Sequence, residues 1–185
     1  MSHKQQTMQN KDTYEVHDTT ETKNGVILGP FLSNYAMIND RWSVHVESRP
    51  YIRNDCVLMN DMTRWATLCP VYKKISIKPI ARSDVPSLIK IYVSCPEKLD
   101  KDVVSYRLLA DHVGSVLHNG QFVYIEWSST KYIAEIKHTI PDTCGILTQD
   151  TNIIVMTFGR NTIASVPMGR SQSDSKINRS SFKNK

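Results

Sequence analysis

The feature that most limits what this chain can fold into is the run 42–80, where strand-period patterns are packed between hard stops. Trp42, Val44 and Val46 alternate with Ser43, His45 and Glu47, the two-residue period of a half-buried strand. Arg49-Pro50 stops it. A short strand, Cys56–Met59, runs into the polar turn Asn60-Asp61. A one-turn helical piece bearing Arg64 and Trp65 follows. Then comes 73–78, where Ile75 and Ile77 alternate with Lys74, Ser76 and Lys78 until Pro79, which has no amide proton for a ladder, ends the run.

Strand signals dominate elsewhere too. Val26–Leu28 is a short apolar run ended by Gly29-Pro30, and 88–93 is a strand after the break Ser83-Asp84-Val85-Pro86. One helix is expected at 103–113, with Asp102 as N-cap and Gly114 as the left-handed residue past its end. Val104, Leu108 and Leu109 share its apolar face, with Val113 further along. The runs 121–127 and 131–137, joined by Ser128-Ser129-Thr130, read as a hairpin, and 151–158 is a last strand. Burying one large apolar side chain contributes roughly 1.5–3 kcal/mol, and Trp42, Trp65, Trp127 and the Ile, Val and Leu strand positions are the candidates. Residues 1–22 are polar and read as a disordered or loosely attached arm. Residues 168–185, rich in Ser, Asn and Lys, read as a basic tail or linker. The expected organisation is therefore an arm (1–22), a β subdomain (23–84), an α/β subdomain (85–167) and the tail (168–185).

Charge narrows the partners. The formal net charge is +5, but 168–185 holds Arg170, Lys176, Arg179, Lys183 and Lys185 against Asp174 alone, so +4 of it sits in the tail. A folded nucleic-acid binder carries its positive charge on the folded surface, so nucleic acid is not expected as partner except through that tail. No stretch approaches the roughly 18 apolar residues of a membrane span, and no apolar run marks a secretory leader in the first twenty residues. Cys56, Cys69, Cys95 and Cys144 are scattered. Reduced, buried thiols and a cytoplasmic location follow. Asn178-Arg179-Ser180 matches a glycosylation sequon by chance on this reading.

Catalytic motifs are missing. The stretch Gly114 to Gly120 has the wrong spacing and no lysine for a phosphate loop, and reads as a helix end followed by a turn. His112 and His118 are six residues apart across the helix end and read as surface histidines; His45 and His138 fall on polar-facing strand positions and read as solvated. The acid pairs Asp100 with Asp102 and Asp55 with Asp61 lie in turns, where aspartate caps and bonds backbone. Cys69 would be a reactive thiol if Arg64 lowered its pKa; a buried inert cysteine is the simpler reading. Neither metal nor cofactor is expected. What remains is a recognition surface: Arg64 beside Trp65, a pairing enriched at interface hot spots, although Trp65 itself is expected in the core. Lys98 and Lys101 with Lys73 and Lys74 make a basic surface for an acidic partner, acting on association rate and selectivity.

The run 41–68, RWSVHVESRPYIRNDCVLMNDMTRWATL, resembles the amino-terminal domain of the N-ethylmaleimide-sensitive fusion ATPase. Arg64-Trp65-Ala66 with Leu68 matches that family's Arg-Lys-Trp-Ala-Gly-Leu segment. Gly120-Gln121-Phe122-Val123-Tyr124 resembles its Gly-Gln-x-Leu-x-Phe strand, with 132–137 as the return strand. The stretch 144–153, CGILTQDTNI, looks like the Asp-Thr-x-Ile segment of the related valosin-containing-protein domains. The resemblance spans about 25–165. One departure stands out: relatives place Gly, often Gly-Asp, in the turn before the alternating strand, whereas this chain has Cys69-Pro70-Val71-Tyr72, one residue longer.

The resemblance implies a double-psi β-barrel followed by a small α/β clip (roll) subdomain. It implies no catalysis and no ATPase modules in this chain, which is then either an amino-terminal piece or a free-standing copy, with oligomers only through the missing modules. It implies an acidic adaptor of the soluble attachment protein type, and SNARE complexes indirectly, bound through Arg64 and Lys98, with Lys101 nearby, in vesicle trafficking and without membrane insertion. The alternative is the ubiquitin-linked segregase type, gripping adaptor peptides between the subdomains. A small enzyme on the same barrel is a third reading, and nucleic-acid binding by the tail a fourth.

Overall fold

The computed structural model describes residues 13–21, 23–96 and 98–158. The first six strands are β1 (Thr13–Asp18), β2 (Val26–Leu28), β3 (Tyr35–Ile38), β4 (Trp42–Ser48), β5 (Cys56–Met59) and β6 (Lys74–Pro79), with helix α1 (Asp61–Thr67) between the last two. They close into a barrel in the order β1-β5-β2-β4-β3-β6. The barrel is mixed: β1 with β5 and β2 with β4 run parallel, and the other four pairs are antiparallel. Closure leaves no unpaired edge. Inside it pack Val16, Leu28, Ile38, Val57, Met59 and Ile75, among others.

Strand β1 corrects the expectation of a loose arm over 1–22. Val16 is fully buried and Tyr14 packs partly buried on the barrel core, while Thr13 and Asp18 face solvent. It is held by backbone ladders to β5 on one side and β6 on the other. Ladder bonds do not depend on side-chain hydropathy, so a polar strand is stable once two neighbours flank it. Residues 1–12 and the tail 168–185 lie outside the described residues. Strand β3 was not expected either; it joins β4 through a tight hairpin whose Asn39 and Asp40 take positive φ (49° and 55°).

After a short 3-10 turn, Arg82–Asp84, come β7 (Lys90–Pro96), α2 (Lys101–His112), β8 (Val116–His118), β9 (Phe122–Trp127), β10 (Thr130–Ile140), β11 (Cys144–Ile146) and β12 (Asn152–Phe158). A four-stranded sheet in the order β12-β7-β10-β9 carries α2, and β8 pairs with β11 in a separate ribbon. Ile91, Val93, Leu108, Ile125 and Ile136 are fully buried in this second core. The hairpin at 128–129 is as read: Trp127 pairs with Thr130, and both serines take positive φ. Gly114 has φ of +85° past the end of α2, as expected. The cap is Asp100 rather than Asp102, its carboxylate accepting from the Asp102 amide at 2.7 Å. Short β8 and β11 were missed because three residues show no period. A strand therefore stands where only a turn was expected between Gly114 and Gly120.

The tryptophans correct another expectation. Trp42 is half-buried against the barrel core, but Trp65 and Trp127 are 46% and 43% exposed. The cores are filled instead by the aliphatic strand positions and by Leu108.

Candidate partner-binding surface

Helix α1 is only seven residues long, so its ends decide whether it forms. Asn60 caps it, its side-chain oxygen accepting from the Thr63 amide at 2.7 Å, while its amide group donates to the Glu21 and Lys23 carbonyls, each at 3.1 Å. One side chain thus fixes both the helix start and the chain leaving β1. Met62, Thr63 and Thr67 are buried. The Thr63 hydroxyl accepts from the Gly25 amide at 3.1 Å, and the Thr67 hydroxyl donates to the Thr63 carbonyl at 2.7 Å. The helix ends on Leu68 in the left-handed conformation, with the Cys69 amide donating to the Arg64 carbonyl.

This framework holds Arg64 and Trp65 at the seam between the barrel and the second sheet. The Trp65 ring lies 4.8 Å from that of Phe122 on β9. Beside it, the Tyr124 hydroxyl donates to Asp61 at 2.7 Å, and burial with that bond pushes the phenol up to about 12. The Asn24 amide donates to the Phe122 carbonyl at 3.0 Å. The Arg64 side chain is 19% exposed and pairs with Asp18 of β1 at 3.0 Å; among the described residues its buried Nε has no hydrogen-bond partner. Such an exposed pair contributes about 0–1 kcal/mol, so Asp18 tempers the charge that Arg64 presents without locking it.

Of the five cations expected to bind a partner, the fold gathers three around β1. Arg64 pairs with Asp18 at one end, Lys73 accepts the Val16 amide on its carbonyl, and Lys74 lies across from Glu15. Lys73 and Lys74 are exposed. Lys98 and Lys101 are also exposed, but they belong to the second lobe, at the start of α2. The opposite end of that helix approaches β9, where His112 donates to the Tyr124 carbonyl. At 1.5 Å per residue, Lys101 lies about 16 Å along the axis from there. Among the described residues none of these four lysines forms an ion pair.

Three histidines correct the sequence reading. His112 is fully buried and His118 nearly so, not on the surface. His118 sits between the lobes, its Nε2 donating to the Ser43 carbonyl at 2.8 Å and its ring edge-on to Trp42. Burial pushes both pKa values down. The Nδ1 of His112 is buried without a partner among the described residues, so a second proton there would find no acceptor among them. His45 is half-buried rather than solvated, and burial together with Lys23 lowers it. Cys69 is buried, and burial pushes its thiol up, with Lys73 a smaller opposing influence; this removes the basis for a reactive thiolate.

A shallow depression beside the seam is lined by Thr19, Glu21, Lys23, Asn24, His45 and Glu47, among others. Both of its carboxylates are engaged by Arg49, at 3.0 Å for Glu21 and 2.6 Å for Glu47. Among the described residues no group of three or more His, Cys, Asp or Glu is placed to hold a metal ion. The sequence reading missed Asp18, hidden in the supposed arm, and the bracing role of Asn60. The signal for the latter was present, since Asn-Asp ahead of Met62-Thr63 is a helix-start pattern. No protein-family model matches this chain, and no curated protein matches it.

Proposed function

We propose that this chain is a non-catalytic recognition domain of the kind that holds adaptor proteins for a vesicle-fusion (SNARE-disassembly) ATPase. On this reading the barrel is of the double-psi type and the second lobe is the α/β clip. The observation that carries the reading is the pairing pattern: a closed, mixed six-stranded barrel with two parallel pairs, followed in the chain by a helix-bearing sheet. The ordered sequence resemblance over 25–165 supports it. Arg64, Lys73 and Lys74 provide one basic contact and Lys98 with Lys101 a second, both suited to an acidic attachment protein. Partner charge would be read mainly in the association rate. The test is capture of soluble attachment protein by the wild type and by R64E/K98E. Binding by the wild type that falls with added salt and is lost in the double variant supports the proposal, whereas equal capture by both overturns it.

A second reading, the ubiquitin-linked segregase type, is favoured by one observation. The seam presents Trp65 and Phe122 in contact, both partly exposed, as an inter-lobe peptide groove would. Binding of ubiquitin-type adaptors but not attachment protein, lost on F122A, would select it.

A further inference from the structure

The segment after α1 holds two bulky residues in a backbone conformation that side chains disfavour. Leu68 has φ of 56° and Tyr72 of 63°. Left-handed backbone is uncommon for any non-glycine residue and is an outlier for a bulky one. Both side chains nevertheless point to solvent, 66% and 73% exposed, while Cys69 between them is fully buried. At Leu68 the left-handed backbone ends α1, and at neither position does it place the apolar group in the core. It holds both out.

The segment is firmly anchored. The Cys69 amide donates to the Arg64 carbonyl at 2.9 Å, the Tyr72 amide to the Val16 carbonyl at 2.7 Å, and the Lys73 amide to the Pro70 carbonyl at 3.3 Å. His17 packs edge-on against the Tyr72 ring at 5.7 Å. Leu68 and Tyr72 are four residues apart, a span of at most about 14 Å, and Trp65 is one helical turn before Leu68. Strained, exposed apolar residues on a rigid frame are what a ligand clamp uses.

Charge identifies the occupant. Lys73 and Lys74 follow Tyr72 directly, exposed and, among the described residues, without an ion pair, while the nearby carboxylate of Glu15 lies 3.1 Å from the His17 ring nitrogen. We infer that the 68–72 loop is an anchoring hook for an acidic peptide segment that carries apolar side chains, which seat on Leu68, Tyr72 and Trp65 while its carboxylates meet Lys73 and Lys74. The inference rests on the recognition role proposed above and names the chemistry of the partner. The flanking carboxylates Asp18 and Asp61 are engaged by Arg64 and the Tyr124 hydroxyl, and an anionic bilayer is the alternative occupant that the test decides.

The test is selection of displayed random dodecapeptides on the full chain, followed by binding of a resynthesised selected peptide. Selected peptides should combine Asp or Glu with Leu, Ile, Phe or Trp. Affinity should fall about tenfold in L68G/Y72G, in L68N/Y72N and in K73E/K74E, the loss expected of truncated anchors. Glycine and asparagine both accept the left-handed backbone, so the first two variants keep the fold, and a melting temperature no lower than wild type confirms that the loss is one of contact. No enrichment, or selected peptides that bind all variants within twofold, overturns the inference. Sedimentation of the wild type, but not L68G/Y72G, with vesicles of phosphatidylserine and phosphatidylcholine would also overturn it. Attachment-protein capture that needs Arg64 and Lys98 but ignores Leu68 and Tyr72 would sink the hook and leave the recognition role standing. Hook-dependent peptide binding without attachment-protein capture would do the reverse.

Discussion

Replacing Asn60 should be far more costly than removing an ordinary helix cap. The residue is 2% exposed, and its side chain both accepts from Thr63 and donates to the carbonyls of Glu21 and Lys23. Loss of a cap costs about 1 kcal/mol. Each lost donation adds about 0.5–1.5 kcal/mol, the net contribution of a typical part-buried hydrogen bond. N60A should therefore destabilise by about 2–4 kcal/mol, which at a slope of about 2 kcal/mol/M lowers the urea midpoint by about 1–2 M. N60D separates the two roles. Aspartate caps helices as well as asparagine does, yet here its second oxygen would face two carbonyl oxygens at amide distance. At neutral pH N60D should be no more stable than N60A. The assay is equilibrium urea denaturation followed by tryptophan fluorescence, with Trp65 on the affected helix. If N60D unfolds like the wild type, Asn60 is a cap and nothing more, and the account of how α1 is tied to the strand before it is wrong.

Two further outcomes follow from close packing and burial. A Cβ on Gly145 would lie 2.8 Å from both the Pro86 carbonyl oxygen and Leu88 Cδ2, so G145A should destabilise by about 1–3 kcal/mol in the same urea assay. A loss below about 0.5 kcal/mol would show that β11 gives way freely. His112 and His118 are held below their usual value of 6.5 by burial. The unfolded chain thus takes up protons near pH 6.5 that the folded chain refuses. Their contribution is fully present above that pH and is lost as pH falls toward the folded pKa values. Urea midpoints should drop between about pH 7.5 and 5, with a smaller drop in H112Q; a midpoint flat across this range would contradict the burial of both rings.

β2, β4–β7, β9, β10, β12, α2 and the 128–129 hairpin were readable because each leaves a local mark. Ile75 and Ile77 alternate, Gly114 ends a helix, and two serines fit a tight turn. β1 left a mark as well, since Tyr14 and Val16 alternate with Thr13, Glu15 and His17, but its composition is polar and its partners lie far along the chain. Arg64 stood out beside Trp65, whereas Asp18, which answers its charge from 46 positions away, did not. Leu68 and Tyr72 carry no sequence signal for a left-handed backbone. The extra residue in their turn was visible, but its effect on φ was not.

By itself the sequence determined much of the local geometry: most of the strands, the stops between them, and that the chain is mainly β with one long helix. Near neighbours settle such choices through sterics and capping bonds. Only the tertiary structure decided which strands share ladders, why polar β1 is ordered, and why His118 is buried against a carbonyl 75 residues away. Backbone pairing and burial couple residues across distance; a strand's alternation fixes which of its faces is buried, but not which distant segment lies beside it.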